Sequence, residues 1–343
     1  MNVATGQWSD ASAALLLTRA PFLFSHDAAS GYLGDSLVHA WAKTQSADFV
    51  GQLDCGARAF DARPMLLSTS ARTRTTPAAS LVWHHGKVAI NYKFEASLAD
   101  IVGWLSHHPE ELVLLNIWDC VGGLACMASV SDALAAANVT EIMDCSKLRT
   151  LTVSAARQLA AMPSGGSLLA ITGPSALAAG GGACSIGNYD ASIACTGFRE
   201  DEEHEARGMD GSQVASGRPT YGCWRSDSTR GYPIGRMLGQ VDRVVAKGLN
   251  DGFFTQAQAL WQETAASVVV GAVRNSSLVL DERRSGLNAL LAAEAAKGRW
   301  QHNVSLFEVN DVCDHGVELA RALSWQPLSG TLLQTNTKVH GHV

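Results

Sequence analysis

Gly56-Ala57-Arg58-Ala59-Phe60-Asp61-Ala62-Arg63 is the stretch on which the reading of this chain turns. As a strand it alternates faces, so Ala57, Ala59, Asp61 and Arg63 share one side, and Asp61 and Arg63 project together at its C-terminal end. Two runs of the same style flank it: Pro21-Phe22-Leu23-Phe24-Ser25-His26-Asp27 before it and Leu81-Val82-Trp83-His84-His85-Gly86 after it. Each is apolar until its last residues, which are polar. In a parallel barrel the C-terminal ends of all strands open onto one face, and active sites sit there. The expectation is that His26, Asp27, Asp61, Arg63 and one histidine of the third run meet on that face. Such a set suits acid–base chemistry at an anionic centre.

The rest of the chain supports alternating strands and helices. Residues 46–53 read as a short helix with Gly56 beyond its end. Residues 68–80, rich in Ser, Thr, Arg and Pro, read as a loop. Residues 97–108 form the clearest helix, with Ser97 and Asp100 placed as a capping box and an apolar stripe of Leu98, Ile101, Val102 and Leu105. Leu112-Val113-Leu114-Leu115-Asn116-Ile117 is the near-continuous apolar run of a strand buried on both faces. Helices follow at 130–137 and 154–162, then a strand at 167–172. Residues 173–232 lack periodicity and read as a long loop excursion, expected to lie over the catalytic face. Beyond it the pattern predicts helix over 234–262, strand over 266–273, helix over 285–297 capped by Ser285, and a last strand over 304–309. The predicted fold is α/β, an irregular (β/α) barrel of the TIM type, with residues 1–343 as a single domain.

Composition narrows the function class. The chain has 343 residues, 47% of them hydrophobic and 17% charged, which is a globular composition with a sizeable core. Its net charge is −6, and no Lys/Arg cluster stands out, which argues against nucleic acid as a partner. No apolar run approaches the roughly eighteen residues of a membrane span. No basic N-terminal region precedes an apolar stretch, so no secretory signal is read. Eight cysteines and sequons at Asn138, Asn275 and Asn303 leave the compartment open. Cys120/Cys126 and Cys184/Cys195 are spaced for local disulfides, and the absence of Cys-x-x-Cys argues against structural zinc.

The three runs resemble the X domain of phosphatidylinositol-specific phospholipase C and its PLC-like phosphodiesterase relatives. Ser25-His26-Asp27-Ala28 is similar to that family's His-Asp run after the first strand. Gly56 to Arg63 fits its Gly-x-Arg-x-Phe-Asp-x-Arg run, and His85-Gly86 fits its later His-Gly. The resemblance is clearest over residues 20–120. It implies a phosphoric diester hydrolase acting in lipid metabolism on a phospholipid or other phosphodiester, with peripheral contact to a membrane.

The resemblance also distributes roles. His26 would be the general base and His85, the histidine directly before Gly86, the general acid, with His84 its rival on the opposite strand face. Arg63 would neutralise the phosphate, as calcium does in other relatives. Asp27 would orient His85, and Asp61 would be a second pocket carboxylate. A late aspartate orients the base in this family, and Asp311 is the candidate, with Glu308 and Asp314 as alternatives. Trp118 and Asp119 occupy the place where relatives carry a Glu or Lys, so they are candidates for substrate binding. No metal is expected; calcium is the alternative, although two or three carboxylates supply too few oxygens for its shell. Two other readings remain in view. A glycerophosphodiester phosphodiesterase needs a metal-binding Glu-x-Asp where this chain has Asp61-Ala62-Arg63. A silent headgroup-binding barrel needs an arginine but not two titrating histidines.

Overall fold

The computed structural model describes residues 13–36, 39–67, 80–173, 184–187, 234–246, 253–261, 276–300 and 304–324. In chain order the strands are β1 (Phe22–Ser25), β2 (Ala59–Ala62), β3 (Pro64–Leu67), β4 (Ser80–His85), β5 (Val88–Lys93), β6 (Leu112–Ile117), β7 (Thr140–Ile142), β8 (Ser167–Ile171), β9 (Ser185–Gly187), β10 (Phe254–Gln258) and β11 (Leu306–Val309). The helices are α1 (Phe49–Asp54), α2 (Phe94–Ser106), α3 (Gly123–Ala136), α4 (Val153–Leu159), α5 (Ile234–Ala246), α6 (Leu278–Ser285), α7 (Leu287–Ala296) and α8 (Gly316–Leu323), with a single helical turn at His39–Ala42.

Eight strands form one sheet in the order β7-β8-β6-β2-β1-β11-β10-β9, and every pairing in it is parallel. The last strand thus lies beside the first, as a barrel requires. Among the described residues no strand pairing joins the two ends of the row, β7 and β9. A disulfide does: Cys145 lies just after β7, and Cys184 is the residue before β9. Gly173, at φ 44°, packs against this bridge; a Cβ there would lie 2.9 Å from the Cys184 sulfur. The barrel is therefore irregular, a curled sheet with a covalent clasp across its seam.

Alternation along the strands separates two cores. Phe22, Phe24, Ala59, Leu112, Leu114, Leu169, Phe254 and Leu306 fill the barrel interior. Leu23, Phe60, Val113, Leu115, Leu168 and Phe307 face the helices. Burying each phenylalanine contributes about 1.5–3 kcal/mol. Going up the interior face of each strand, the apolar residues give way to polar ones: His26 after β1, Asp61 on β2, Gln256 on β10, Glu308 on β11 and Asn310 just past it.

The Gly56–Arg63 stretch does three jobs along its length. Gly56 takes φ +100°, and a Cβ there would lie 3.2 Å from the Gly316 carbonyl. Arg58, at the lower end, forms a two-pronged pair with Glu111, Nε to Oε2 at 2.8 Å and Nη2 to Oε1 at 3.0 Å. Phe60 packs edge-on against Phe49 of α1. Asp61 and Arg63 then emerge at the top.

Several expectations are corrected. The third run is not a barrel strand. β3, β4 and β5 form a separate antiparallel sheet that starts directly where β2 ends, and His84-His85 close its β4–β5 hairpin. Periodicity alone does not distinguish the two kinds of strand. The helix expected over 234–262 stops at Ala246, and Phe254–Gln258 is a strand whose two buried faces and parallel partners override the pattern. Ser185–Gly187 is a strand inside the expected 173–232 loop, pairing with β10; most of that loop lies outside the described residues, as do 68–79 and the strand expected over 266–273. α2 begins at Phe94, so Ser97 is not its cap. Its hydroxyl bonds the Phe94 carbonyl and takes the Trp83 indole, while Asp100 accepts from the hydroxyls of Tyr32 and Tyr92. The short helix expected over 46–53 is α1, which starts at Phe49 and is capped by Asp48. Ser285 is the last residue of α6 rather than the cap of α7, whose preceding residue is Gly286 in the left-handed region. Cys184 pairs with Cys145 instead of Cys195, and Cys55–Cys313 joins residues far apart in the chain; Cys120–Cys126 forms as expected.

Candidate active site

Asp27 is the centre of the cluster. It follows β1 in the left-handed region, φ 43°, which aspartate tolerates better than most residues. Its backbone N–H donates to Asp61 Oδ2 at 2.9 Å. Its own carboxylate meets three cations or potential cations: Oδ1 lies 2.9 Å from Arg63 Nε, and Oδ2 lies 3.1 Å from Nε2 of both His26 and His85. The two imidazoles stand edge-to-face with centroids 6.2 Å apart. They flank one space rather than stacking.

Each histidine is anchored through its other ring nitrogen. His26 Nδ1 is 2.9 Å from Asn310 Oδ1, and His85 Nδ1 is 2.6 Å from the Ala42 carbonyl. Both partners are acceptors, so both Nδ1 atoms carry a proton, and both Nε2 atoms face the Asp27 carboxylate across the space they flank. The His26 carbonyl is held by Thr44 Oγ1 at 2.8 Å and Gln45 Nε2 at 3.0 Å, which pins the turn after β1. His84, the rival, makes no ion pair with Asp27 among the described residues and is held elsewhere. Its ring bridges the carbonyls of Gly86 and Asp119 and so fixes the hairpin to the segment after β6.

Arg63 is locked from two sides. Asp61 accepts from its Nε at 3.1 Å and Nη2 at 2.7 Å, and its guanidinium lies 4.3 Å above the Trp118 ring. Trp118 Nε1 in turn donates to Asp61 Oδ1. Trp118 thus supports the arginine, while Asp119 enters through its backbone carbonyl. Burial lowers the arginine's basicity, but Asp27 and Asp61 outweigh it and raise its pKa, so it stays charged.

Electrostatics set the charge states. Burial pushes the Asp27 carboxyl up; Arg63, His85 and His26 more than reverse that and hold it below its ordinary value. Burial pulls His26 down, yet Asp27 and Glu308 prevail and its pKa is raised. Glu308, buried on β11 and bonded by Gln256 Nε2 at 2.7 Å, is pushed up to about 7 by burial.

The orienting residue for His26 is corrected. Asp311 takes φ 40° and turns the other way, where it accepts from Arg283 Nε and Ser46 Oγ, each at 2.5 Å; Asn310 occupies the place beside His26. Strand alternation carried this signal, because Leu306, Glu308 and Asn310 share a face that Asp311 does not. Asp314 is not among the His26 partners either, while Glu308 faces His26 electrostatically. His26, Asp27 and Asp61 are close enough that a metal ion could share them. The Arg63 guanidinium already bridges both of those carboxylates, and one imidazole with two carboxylates falls short of a calcium shell.

Comparison with solved structures decides the architecture. A phosphatidylinositol-specific phospholipase C from Staphylococcus aureus superposes with a TM-score of 0.53 over 91% of this chain and 96% of its own, at 14% identity. The phosphatidylinositol-specific phospholipase C of Listeria monocytogenes does so with a TM-score of 0.53 over 95% and 100%, at 10% identity. The chain has the phosphatidylinositol-specific phospholipase C fold. In sequence it is 31% identical over 93 residues to the 1-phosphatidylinositol phosphodiesterase of S. aureus strains Newman and NCTC 8325. That match spans 27% of this chain and about a quarter of the relatives' length, 27% and 26% respectively. No family model matches the chain. Within this phospholipase C-like fold the cluster around Asp27 stands at the C-terminal ends of β1, β2 and β11, the face that carries active sites in parallel barrels.

Proposed function

We propose that this chain is a phosphodiesterase of the phospholipase C type. The observation that carries the reading is the convergence of two Nε2 atoms on Asp27 Oδ2 beside a buried, charged arginine. In this reading neutral His26 takes the proton of a hydroxyl adjacent to the phosphate through Nε2. The resulting oxygen attacks phosphorus, and Arg63 stabilises the charge that develops on the phosphate oxygens. His85, protonated at Nε2, gives that proton to the leaving alcohol. Asp27 stays ionised and keeps both rings and the guanidinium in register. With phosphatidylinositol the products are a cyclic inositol phosphate and diacylglycerol. General acid–base assistance contributes roughly 10²–10⁴ in rate.

The substrate is proposed to be a phospholipid met at a membrane surface. Beyond β6, the segment closed by Cys120–Cys126, which runs into the first turn of α3, exposes Val121 and Leu124, the latter 73% accessible. Such residues on the active-site side suit shallow contact with acyl chains. Three disulfides favour an oxidising compartment. The test is turnover by purified protein of a panel of phosphodiesters, with phosphatidylinositol vesicles and glycerophosphodiesters among them, the product followed by phosphorus NMR. A cyclic phosphate from the inositol substrate is the expected result. No turnover of any panel member would overturn the reading.

A further inference from the structure

Asn310 is built into its place. Its Nδ2 donates to the Trp261 carbonyl at 2.7 Å and to Glu282 Oε2 at 3.2 Å. Turning the amide over would set its oxygen against that carbonyl and that carboxyl oxygen, so Oδ1 must be the atom that faces His26 Nδ1 at 2.9 Å. Asn288 Nδ2 holds the Asn310 carbonyl at 2.9 Å, and the Trp261 N–H reaches Glu282 Oε2 at 3.4 Å. Asn310, Glu282, Asn288 and Trp261 are all fully buried.

We propose that Glu282 and Asn310 are positioning residues for His26, a chain of hydrogen bonds that fixes the ring with Nδ1 protonated and Nε2 toward the substrate. An amide oxygen only accepts, so it dictates the tautomer as a carboxylate would. It adds no charge in doing so. The charge on His26 is therefore left to the groups around it: Asp27 just after β1, Glu308 on β11 and Asp61 on β2 favour it, and Arg63 opposes it. Glu282 acts one step back. Its Oε2 takes both the Trp261 and Asn310 N–H groups, while Oε1 has no hydrogen-bond partner among the described residues. Burial raises its pKa well above the ordinary glutamate value, which fits a neutral acid whose carbonyl oxygen is Oε2. A glutamine can present the same oxygen to the same two donors; a leucine cannot.

That His26 is a base rests on the proposed function, but its tautomer does not. The experiment is long-range proton–nitrogen NMR of the full chain labelled at histidine nitrogens, with His26 assigned by its loss in His26→Ala. The spectra are recorded for wild type, Asn310→Ala, Glu282→Gln and Glu282→Leu above the His26 titration, with kcat and KM measured alongside. Wild type and Glu282→Gln should show neutral His26 protonated at Nδ1 alone. Asn310→Ala and Glu282→Leu should show mixed tautomers. Their kcat should fall about tenfold or more at little change in KM, while Glu282→Gln retains most of its rate. A wild-type His26 protonated at Nε2 would overturn the proposal, whether or not the protein turns over any phosphodiester. So would an Asn310→Ala protein with wild-type tautomer and kcat. If Asn310→Ala and Glu282→Leu do not fold, the wild-type tautomer together with retention in Glu282→Gln decides.

Discussion

His26 and His85 bring their Nε2 atoms to the same oxygen: each lies 3.1 Å from Asp27 Oδ2, although the first residue follows a barrel strand and the second closes an antiparallel hairpin. The geometry makes the two rings interdependent through one carboxylate. Replacing either histidine with alanine should lower kcat by roughly 10² or more. Asp27→Asn should do the same, since it removes the shared charge. His84→Ala should instead lower the unfolding midpoint, because His84 ties the hairpin to Asp119. A His84→Ala enzyme that is folded but dead would sink this assignment.

Arg63 should tolerate no substitution by lysine. A lysine keeps the charge but cannot span Asp27 and Asp61 while presenting a planar face to Trp118. Arg63→Lys is expected to lose roughly 10²-fold in kcat, and turnover should survive excess chelator. Activity abolished by chelator and restored by calcium would falsify this and would make Asp27 and Asp61 metal ligands.

The pH profile should report His26 and its neighbour Glu308. Because His26 titrates above its ordinary 6.5, the rise of kcat/KM with pH should be centred above that value. Glu308→Gln removes a carboxyl that raises it, so the midpoint should move down. Stability should respond as well. The Glu308 proton is held to about 7 in the fold against 4.5 when unfolded. Its contribution is complete below 4.5 and lost as pH rises through about 7, so the variant's advantage over wild type should grow between about pH 4.5 and about pH 7 and level off above that. An unchanged pH–rate profile in Glu308→Gln would refute the coupling.

Contact with lipid should be separable from chemistry. Leu124→Asp is expected to reduce turnover of vesicles several-fold while leaving a water-soluble phosphodiester unaffected. Equal losses on both substrates would count against the loop as a membrane contact.

Removing Cys55–Cys313 should be costly. It joins positions 258 residues apart, for which loop-closure entropy amounts to about 5.5 kcal/mol. Denaturant midpoints of wild type and the double alanine variant give the measurement, and coincident curves would contradict the estimate.

Much of the site could be read from residue order alone because it rests on local features. A strand's alternation put Asp61 beside Arg63, and the turn after β1 put His26 beside Asp27. What was not legible depended on distant chain. The run 81–85 has the period of any strand, and only the tight turn at Gly86-Lys87, with Gly86 at φ 54°, marks it as a hairpin arm. Asp311 attracted attention by residue type, whereas face decided for Asn310. Phe254–Gln258 is short, and its glutamines suggest a surface until Glu308 supplies the buried partner for Gln256. The pairings Cys55–Cys313 and Cys145–Cys184 are set by the closure of the sheet, which spacing does not encode.

The clasp between Cys145 and Cys184 has a consequence for how the molecule breathes. In the strand row, β2, β1 and β11 sit in the middle, and the clasped strands β7 and β9 lie at its two ends. A row joined there by one covalent link, with no ladder between the end strands among the described residues, frays from those ends inward. Amide hydrogens on β7 and β9 should therefore exchange with solvent by small local openings, and those on β1, β2 and β11 only when the whole domain unfolds. The strands that carry the candidate site are insulated from the weakest part of their own sheet by the strands between them.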